Sequence, residues 1–206
     1  MSKTAAASTS AGSRPGAREL ARRAMTGQIA EMAVTLFTER GYDETTVEDI
    51  CGVAGISRTS FFRYFRSKED VLLHDFADLG DLLLESLETR PEDEAPWTAL
   101  RNAISPLTAR YDADGARTRR MLRLVIETPT LGAFHQDKLT RWVSQLSPEI
   151  ARRLGSDPQD ATDPAPNALI SAAFACLDAA LTAWVAADGG QDLGRLLERA
   201  MSALGE

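Results

Sequence analysis

A chain of 206 residues has the length for one large helical domain, or for a small domain of about fifty residues joined to a larger one. Ala and Leu dominate its apolar residues, aromatics are 6%, and alternating Val/Ile/Thr runs are missing, which sets aside a sheet-based fold and points to an all-α one. The formal net charge of -7 argues against a uniformly basic nucleic-acid binder, yet it is uneven: residues 1–70 carry ten Lys/Arg against nine Asp/Glu, and residues 71–206 carry thirteen against twenty-one.

Residues 1–17 are rich in Ala, Ser, Thr and Gly, lack the apolar run of a secretory signal and read as a disordered tail. From Arg18 to Arg40 the residues Met25, Ile29, Met32, Ala33, Leu36 and Phe37 fall on one helical face, and Gly41 should end that helix with Tyr42 folding back over its last turn. Thr45 with Glu48 has capping-box spacing ahead of a short helix bearing Val47, Ile50, Cys51 and Ala54. Gly55 breaks it, and Ser57 caps a second short helix in which Phe61, Tyr64 and Phe65 turn inward. Arg58, Thr59, Phe62, Arg63 and Arg66 are left outside, and from Ser57 to Lys68 there is no acid, so this patch suits phosphate. Ser67 opens a long helix through Leu72, Phe76, Leu79, Leu83 and Leu87. Residues 18–70 thus read as a helix-turn-helix unit and residues 71–206 as a larger helical domain.

The run GYDETTVEDICGVAGISRTSFFRYFRSKEDVLL closely resembles the signature of the TetR family of transcriptional regulators, with its Gly-Tyr, Thr-Thr, Ala-Gly, Ser, aromatic-pair, Tyr-Phe and Ser-Lys-Glu elements in order from about Ala24 to Leu73. Thr59 stands where many relatives have Gly, and Phe62 where Tyr is usual and its hydroxyl commonly reaches a phosphate. The resemblance implies double-stranded operator DNA as partner and a homodimer. In such a unit the second short helix enters the major groove, placing Ser57, Arg58, Thr59 and Ser60 at base edges. Arg58 can bond O6 and N7 of guanine together, or serve a phosphate, while Thr59 offers a hydroxyl and a methyl for thymine. Thr45 or Thr46, Arg63, Tyr64, and Ser67 with Lys68 are expected at the backbone strands, with capping as the other role of the threonines and Ser67.

Farther on, ETRPEDEAP reads as a loop, a helix begins at Trp97 with Pro106 as a kink, and a turn falls at Asp112 to Gly115. Helices over Arg117–Glu127 and Leu131–Leu154, a polar linker DPQDATDPAP, and helices over Ala168–Ala187 and Leu193–Leu204 bring the total to about nine. Trp97, Ile104, Leu107, Phe134 and Trp142 come from amphipathic helices that need a shared interior and are expected to line a ligand cavity. Arg123 and Glu127, with Arg120, fall at helical spacing where they face either a polar ligand group or solvent. Stripes through Ala173, Ala180 and Trp184, and through Leu197 and Met201, suit close packing, either across a two-fold dimer axis or inside one subunit. The segment RLVIETPTLGAFHQDKLTRWVSQLSPEIARRLG is similar to the C-terminal domain of mycofactocin-system-type regulators, a resemblance that implies an acyl-CoA-like effector.

The longest apolar stretches read as punctuated by charges within about ten residues, short of the roughly twenty that span a bilayer, so no membrane segment is expected. Cys51 and Cys176 have no zinc or disulfide spacing, and a cytoplasmic chain without cofactor fits. His74 and His135 fall on different helices, His135 with Asp137 makes at most a surface pair, and HExxH, GxSxG and phosphate-binding Gly loops do not occur, so neither metal nor catalytic residues are expected. Two functions remain: a ligand-released repressor on a palindromic operator, and a DNA-binding regulator controlled by a protein partner, its C-terminal half serving dimerisation only.

Overall fold

The computed structural model describes residues 16–73, 79–188 and 190–205, which form ten helices and, among the described residues, no strand. They are α1 (Ala17–Arg40), α2 (Val47–Ala54), α3 (Arg58–Tyr64), α4 (Lys68–Leu73), α5 (Leu79–Glu88), α6 (Pro96–Ala113), α7 (Gly115–Glu127), α8 (Pro129–Leu154), α9 (Ala165–Ala186) and α10 (Leu193–Ser202). The single long helix expected after Ser67 corresponds to α4 and α5; Phe76, and with it His74, lies outside the described residues.

Helix α1 buries Ile29, Ala30, Ala33, Val34, Leu36 and Phe37, while Met25 and Met32, expected on that face, lie exposed at its margin. It ends at Gly41, whose φ of 90° a side chain would resist, and the Gly41 amide donates to the Phe37 carbonyl. Tyr42 folds back as expected, its ring 5.0 Å from that of Phe37. The core is one cluster running from Ile29 in α1 to Met201 in α10, with α1 packed on α2 and α4 on one side and on α7 on the other.

The end of α5 is tied to α8 by Arg153, whose buried side chain donates to Glu149 at 2.7 Å and to the carbonyls of Leu87, Arg90 and Pro91 at 2.9, 3.0 and 2.8 Å. A buried guanidinium is tolerated only when its donors are used in this way. Helix α6 continues through Pro106 to Ala113.

Helix α9 departs from the expectation that charges interrupt every apolar stretch within about ten residues. Its 22 residues are long and apolar enough to cross a bilayer by length and composition, Asp178 being its one charged residue. Here it is a core helix: Ile170, Phe174, Leu177, Leu181, Trp184 and Val185 are buried against α8, α10, α7 and α6. Ala173, Ala180 and Trp184, expected at a dimer interface, are 0%, 2% and 1% exposed, and Leu197 and Met201 of α10 are 2% and 0% exposed. All five are interior residues of one subunit and present no surface to another. The outward face of α9 is instead a line of exposed or half-buried small residues, Ala168, Ala172, Ala175, Ala179, Ala183 and Ala186.

Gly80 of α5 leaves no room for a side chain against α8. A Cβ there would lie 2.6 Å from Cδ1 and Nε1 of the Trp142 indole and 2.8 Å from Gln145 Oε1. Gly80→Ala in an ordinary helix would add about 1 kcal/mol; here the rigid indole, itself packed on Phe174, must move, and overpacking of this kind costs about 1 to 3 kcal/mol. The variant is expected to be net destabilised in urea unfolding, with altered tryptophan emission.

Candidate nucleic-acid interface and interior cleft

The supposed cap of α2 is shifted by one residue. Thr46 is the N-cap, its hydroxyl accepting from the Asp49 amide at 3.1 Å while the Asp49 carboxylate accepts from the Thr46 amide at 2.9 Å. Hydrogen bonds from Thr46, with Arg40 3.6 Å away, hold the Asp49 carboxyl below its ordinary range. Thr45 is 1% exposed and its hydroxyl donates to the Gly41 carbonyl at 2.8 Å. It closes the loop after α1 and cannot meet DNA, because its side chain points into the fold.

Gly55, at φ 64°, makes the left-handed turn between α2 and α3. Ser57 then caps α3, accepting from the Ser60 amide at 3.1 Å, and Phe61 and Phe65, 0% and 1% exposed, anchor the helix. Its other side is open: Ser57, Arg58, Thr59, Phe62 and Arg63 are exposed and Ser60 and Tyr64 half-buried. Arg58 is ion-paired with Glu48 of α2 and stacked 5.5 Å from the Phe62 ring centroid. Arg63 stacks 5.0 Å from the ring centroid of Tyr64 and donates to its hydroxyl at 3.2 Å.

Lys68 departs from the expected phosphate contact. Its ammonium donates to the carbonyls of Tyr42 at 2.7 Å and Thr45 at 3.0 Å and sits 4.0 Å from the Tyr42 ring centroid. The Tyr42 hydroxyl donates to Glu69. Burial alone would raise the Glu69 carboxyl, but hydrogen bonds from Tyr42 and Ser67 outweigh it and keep the group low; burial and the same carboxylate push the Tyr42 phenol well above its usual value. Lys68 therefore pins the start of α4 to the loop before α2, and its charge is spent on carbonyls.

In the C-terminal half, a cleft of about 260 Å³ opens between α5 and α6, walled by Leu79, Leu82, Leu83, Ala103, Pro106 and Leu107, with Glu85, Ser86 and Arg110 as its polar lining. Of the expected cavity residues only Leu107 lines it. Ile104 and Trp142 are packed into the core at 1% and 5% exposure, and Trp97 and Phe134 lean on that core half-buried. Arg123 pairs with Asp188 at 3.7 Å, and Glu127 is exposed. Arg117 and Arg120 of α7 reach Glu31 of α1 at 2.7 and 3.1 Å, a link between the two halves that helical spacing alone did not reveal. His135 pairs with Asp178 at 3.1 Å, not with Asp137. Beside this pair Lys138 is 8% exposed, its ammonium 4.7 Å from the Trp142 ring centroid.

A short capped helix with a buried aromatic back and an open cationic front, set after a left-handed turn on a second short helix, is the arrangement of a helix-turn-helix DNA-binding protein. Residues 29–74 match the family profile of bacterial regulatory proteins of the tetR family, and residues 94–206 match that of the MftR C-terminal domain. The chain is 34% identical over 152 residues to the HTH-type transcriptional regulator TcmR of Streptomyces glaucescens, covering 71% of this chain and 67% of that protein. It is 30% identical over 135 residues to MftR of Mycobacterium tuberculosis, described as a mycofactocin biosynthesis transcriptional regulator, covering 64% and 67%. Solved structures share the fold: FadR of Thermus thermophilus in complex with lauroyl-CoA (TM-score 0.54, 24% identity, 87% and 92% of the two chains) and the SmeT–triclosan complex (0.60, 21%, 87% and 91%). The chain belongs to the TetR family of bacterial transcriptional regulators.

Burial lowers the Lys138 ammonium from its ordinary 10.5 to about 8, Arg141 adding to the effect and Asp178 opposing it. Below pH 8 the residue is charged in both folded and unfolded chains and its burial penalty is fully felt. Between pH 8 and 10.5 the folded chain gives up the proton first, so stability gains with rising pH. Relative to Lys138→Met, the native protein should gain on the order of 1 to 3 kcal/mol across that interval, read from urea unfolding of both proteins at several pH values.

Proposed function

We propose that the protein is a repressor that binds a palindromic operator as a homodimer and is released by a small lipophilic or acyl-CoA-like effector. The observation that carries this reading is the division of α3 into a buried aromatic back and an open front of Arg58, Thr59, Phe62 and Arg63. Arg58, Thr59 and Ser60 read base edges, while Thr46, Ser57, Phe62, Arg63 and Tyr64 contact the sugar-phosphate strands. Residues 18–70 are the DNA-binding unit of this cytoplasmic regulator and residues 71–206 its effector and dimerisation unit.

The apolar cleft between α5 and α6 is the effector site, because an apolar cleft between helices is the usual place for a lipophile. The lauroyl-CoA and triclosan of the related structures support that ligand class. Helix α6 leads directly into α7, and α7 grips α1 through Glu31, so a ligand that spreads α5 from α6 shifts α1 and the helices packed on it. A shift matters because the two recognition helices must meet half-sites about one helical turn, ~34 Å, apart. The outward alanines of α9 form the dimer contact: they allow close helix approach and otherwise leave an apolar strip in water.

Titration of a duplex carrying the DNA that flanks its own gene tests the whole. Arg58→Ala should weaken binding about tenfold, the scale of one lost bidentate base contact, and lauroyl-CoA or triclosan should release the native complex. Ala103→Phe, which fills the cleft, should bind the duplex normally and ignore both compounds. Release of the native complex by neither compound, or release of Ala103→Phe by either, would sink the cleft as effector site. Ala179→Glu should appear as a monomer in light scattering at micromolar concentration and lose operator affinity; a persisting dimer would place the interface elsewhere.

A further inference from the structure

The exposed face of α3 holds one aromatic ring that the core does not use. Phe62 is 46% exposed, so nearly half of its surface meets water. It is nevertheless held in place: the buried Phe61 ring meets it edge to face, 5.3 Å between centroids and at 88°. One turn back on the same face stands Arg58, its guanidinium carbon 5.5 Å from the Phe62 centroid, a distance at which cation and ring attract. On the other side Arg58 Nη1 meets the Glu48 carboxylate, which is carried on α2. The side chains of Arg58 and Glu48 are 67% and 59% exposed, so no wall of the fold confines either of them.

We propose that Glu48 and Phe62 are positioning residues that hold the Arg58 guanidinium in one orientation for base reading, making specificity the property of three side chains rather than of Arg58 alone. This rests on the reading of α3 as the recognition helix. A free Arg loses rotamer entropy when it is fixed, and much of that loss is met before DNA arrives if ring and carboxylate already restrain it. The ion pair engages Nη1, leaving Nε and Nη2 as a fork that fits O6 and N7 of guanine. Glu48 also exacts an electrostatic penalty, because a carboxylate on the DNA-facing side repels phosphate. Removing its charge therefore acts in opposite directions on affinity and on discrimination, which a role in packing would not do. Glu48 in the first turn of α2 favours the helix dipole as well, so the melting temperature is followed alongside.

The test uses the full-length protein and a pool of double-stranded DNA with a randomised central segment. The native protein, Arg58→Ala, Glu48→Gln, Phe62→Leu and Phe62→Tyr are each carried through selection. The native-selected duplex, its variant with the most strongly selected G·C pair exchanged in both half-sites, and an unrelated duplex are then titrated. The native protein should prefer the intact pair by about tenfold or more, and Arg58→Ala should lose that preference. Glu48→Gln and Phe62→Leu should lose most of it at that one position with melting temperatures unchanged, and Glu48→Gln should bind the unrelated duplex severalfold more tightly. Phe62→Tyr, which keeps the ring face, should keep the preference. If Arg58→Ala loses the preference while Glu48→Gln and Phe62→Leu keep it, Arg58 reads alone and the proposal is overturned; the same holds if Phe62→Tyr behaves as Phe62→Leu, or if the variants weaken all positions equally. If Arg58→Ala itself retains the native motif, or the native protein enriches none, it is the reading of α3 as the recognition helix that fails.

Discussion

Helix α1 must satisfy two neighbours at once. Its apolar face, from Ile29 to Phe37, is buried in the continuous core, with α2 and α4 packed along one side. Its Glu31 carboxylate holds two arginines of α7 on the other. Neither α2 nor α3 is long enough to persist alone, since helices under about 12 residues are marginal in water without packing. Their orientation is therefore inherited from α1, and α1 is in turn held by the C-terminal helices. The DNA-facing unit is not an independent bead on a string; it shares its core with the domain behind it.

What locks the unit is a small set of polar contacts around Tyr42. The ring stacks on Phe37, the hydroxyl donates to Glu69, and Lys68 closes over the ring to donate to two carbonyls. The end of α1 and the loop that follows it are joined here to the start of α4, more than twenty residues farther along the chain. These groups are partly buried, so each hydrogen bond is shielded from competing water and an unmade one would be costly. The front of α3 is built oppositely. Its ion pair and stacked rings lie in water, where such contacts contribute little to stability.

The C-terminal half shows a comparable contrast between packed and open regions. Trp142 is fitted against Gly80 and Phe174 with no spare room, and the Arg153 guanidinium is sealed by Glu149 and three carbonyls. Between α5 and α6 the small side chain of Ala103 and the ring of Pro106 leave the walls apart, with Leu82 partly exposed. The opening thus lies beside a helix, α5, that is tied firmly to α8 through Arg153 and the close fit at Gly80.

The helical fold, the order of short helices around Gly55, the aromatic anchors Phe61 and Phe65 and the open cationic face beginning at Arg58 were legible in the chain, because each depends on spacing within a few residues: periodicity, a left-handed glycine, a capping serine. The one-residue error at Thr45 and Thr46 was equally local, two adjacent threonines offering nearly identical spacing to Glu48 and Asp49. Other features required the assembled fold. Helix α9 is apolar on nearly every side, so periodicity could not say which stripe faces inward; packing by α8 and α10 buried Ala173, Ala180 and Trp184 and turned the other alanines out. Lys68 was expected at the DNA backbone, and Arg117 only as the start of a helix, until Tyr42, Thr45 and Glu31 arrived from distant parts of the chain. The cleft was invisible for the same reason, since empty space belongs to no residue: Leu107 and Trp142 have similar helical settings, and only the neighbours that tertiary packing supplied left one facing a gap and the other filled against Gly80.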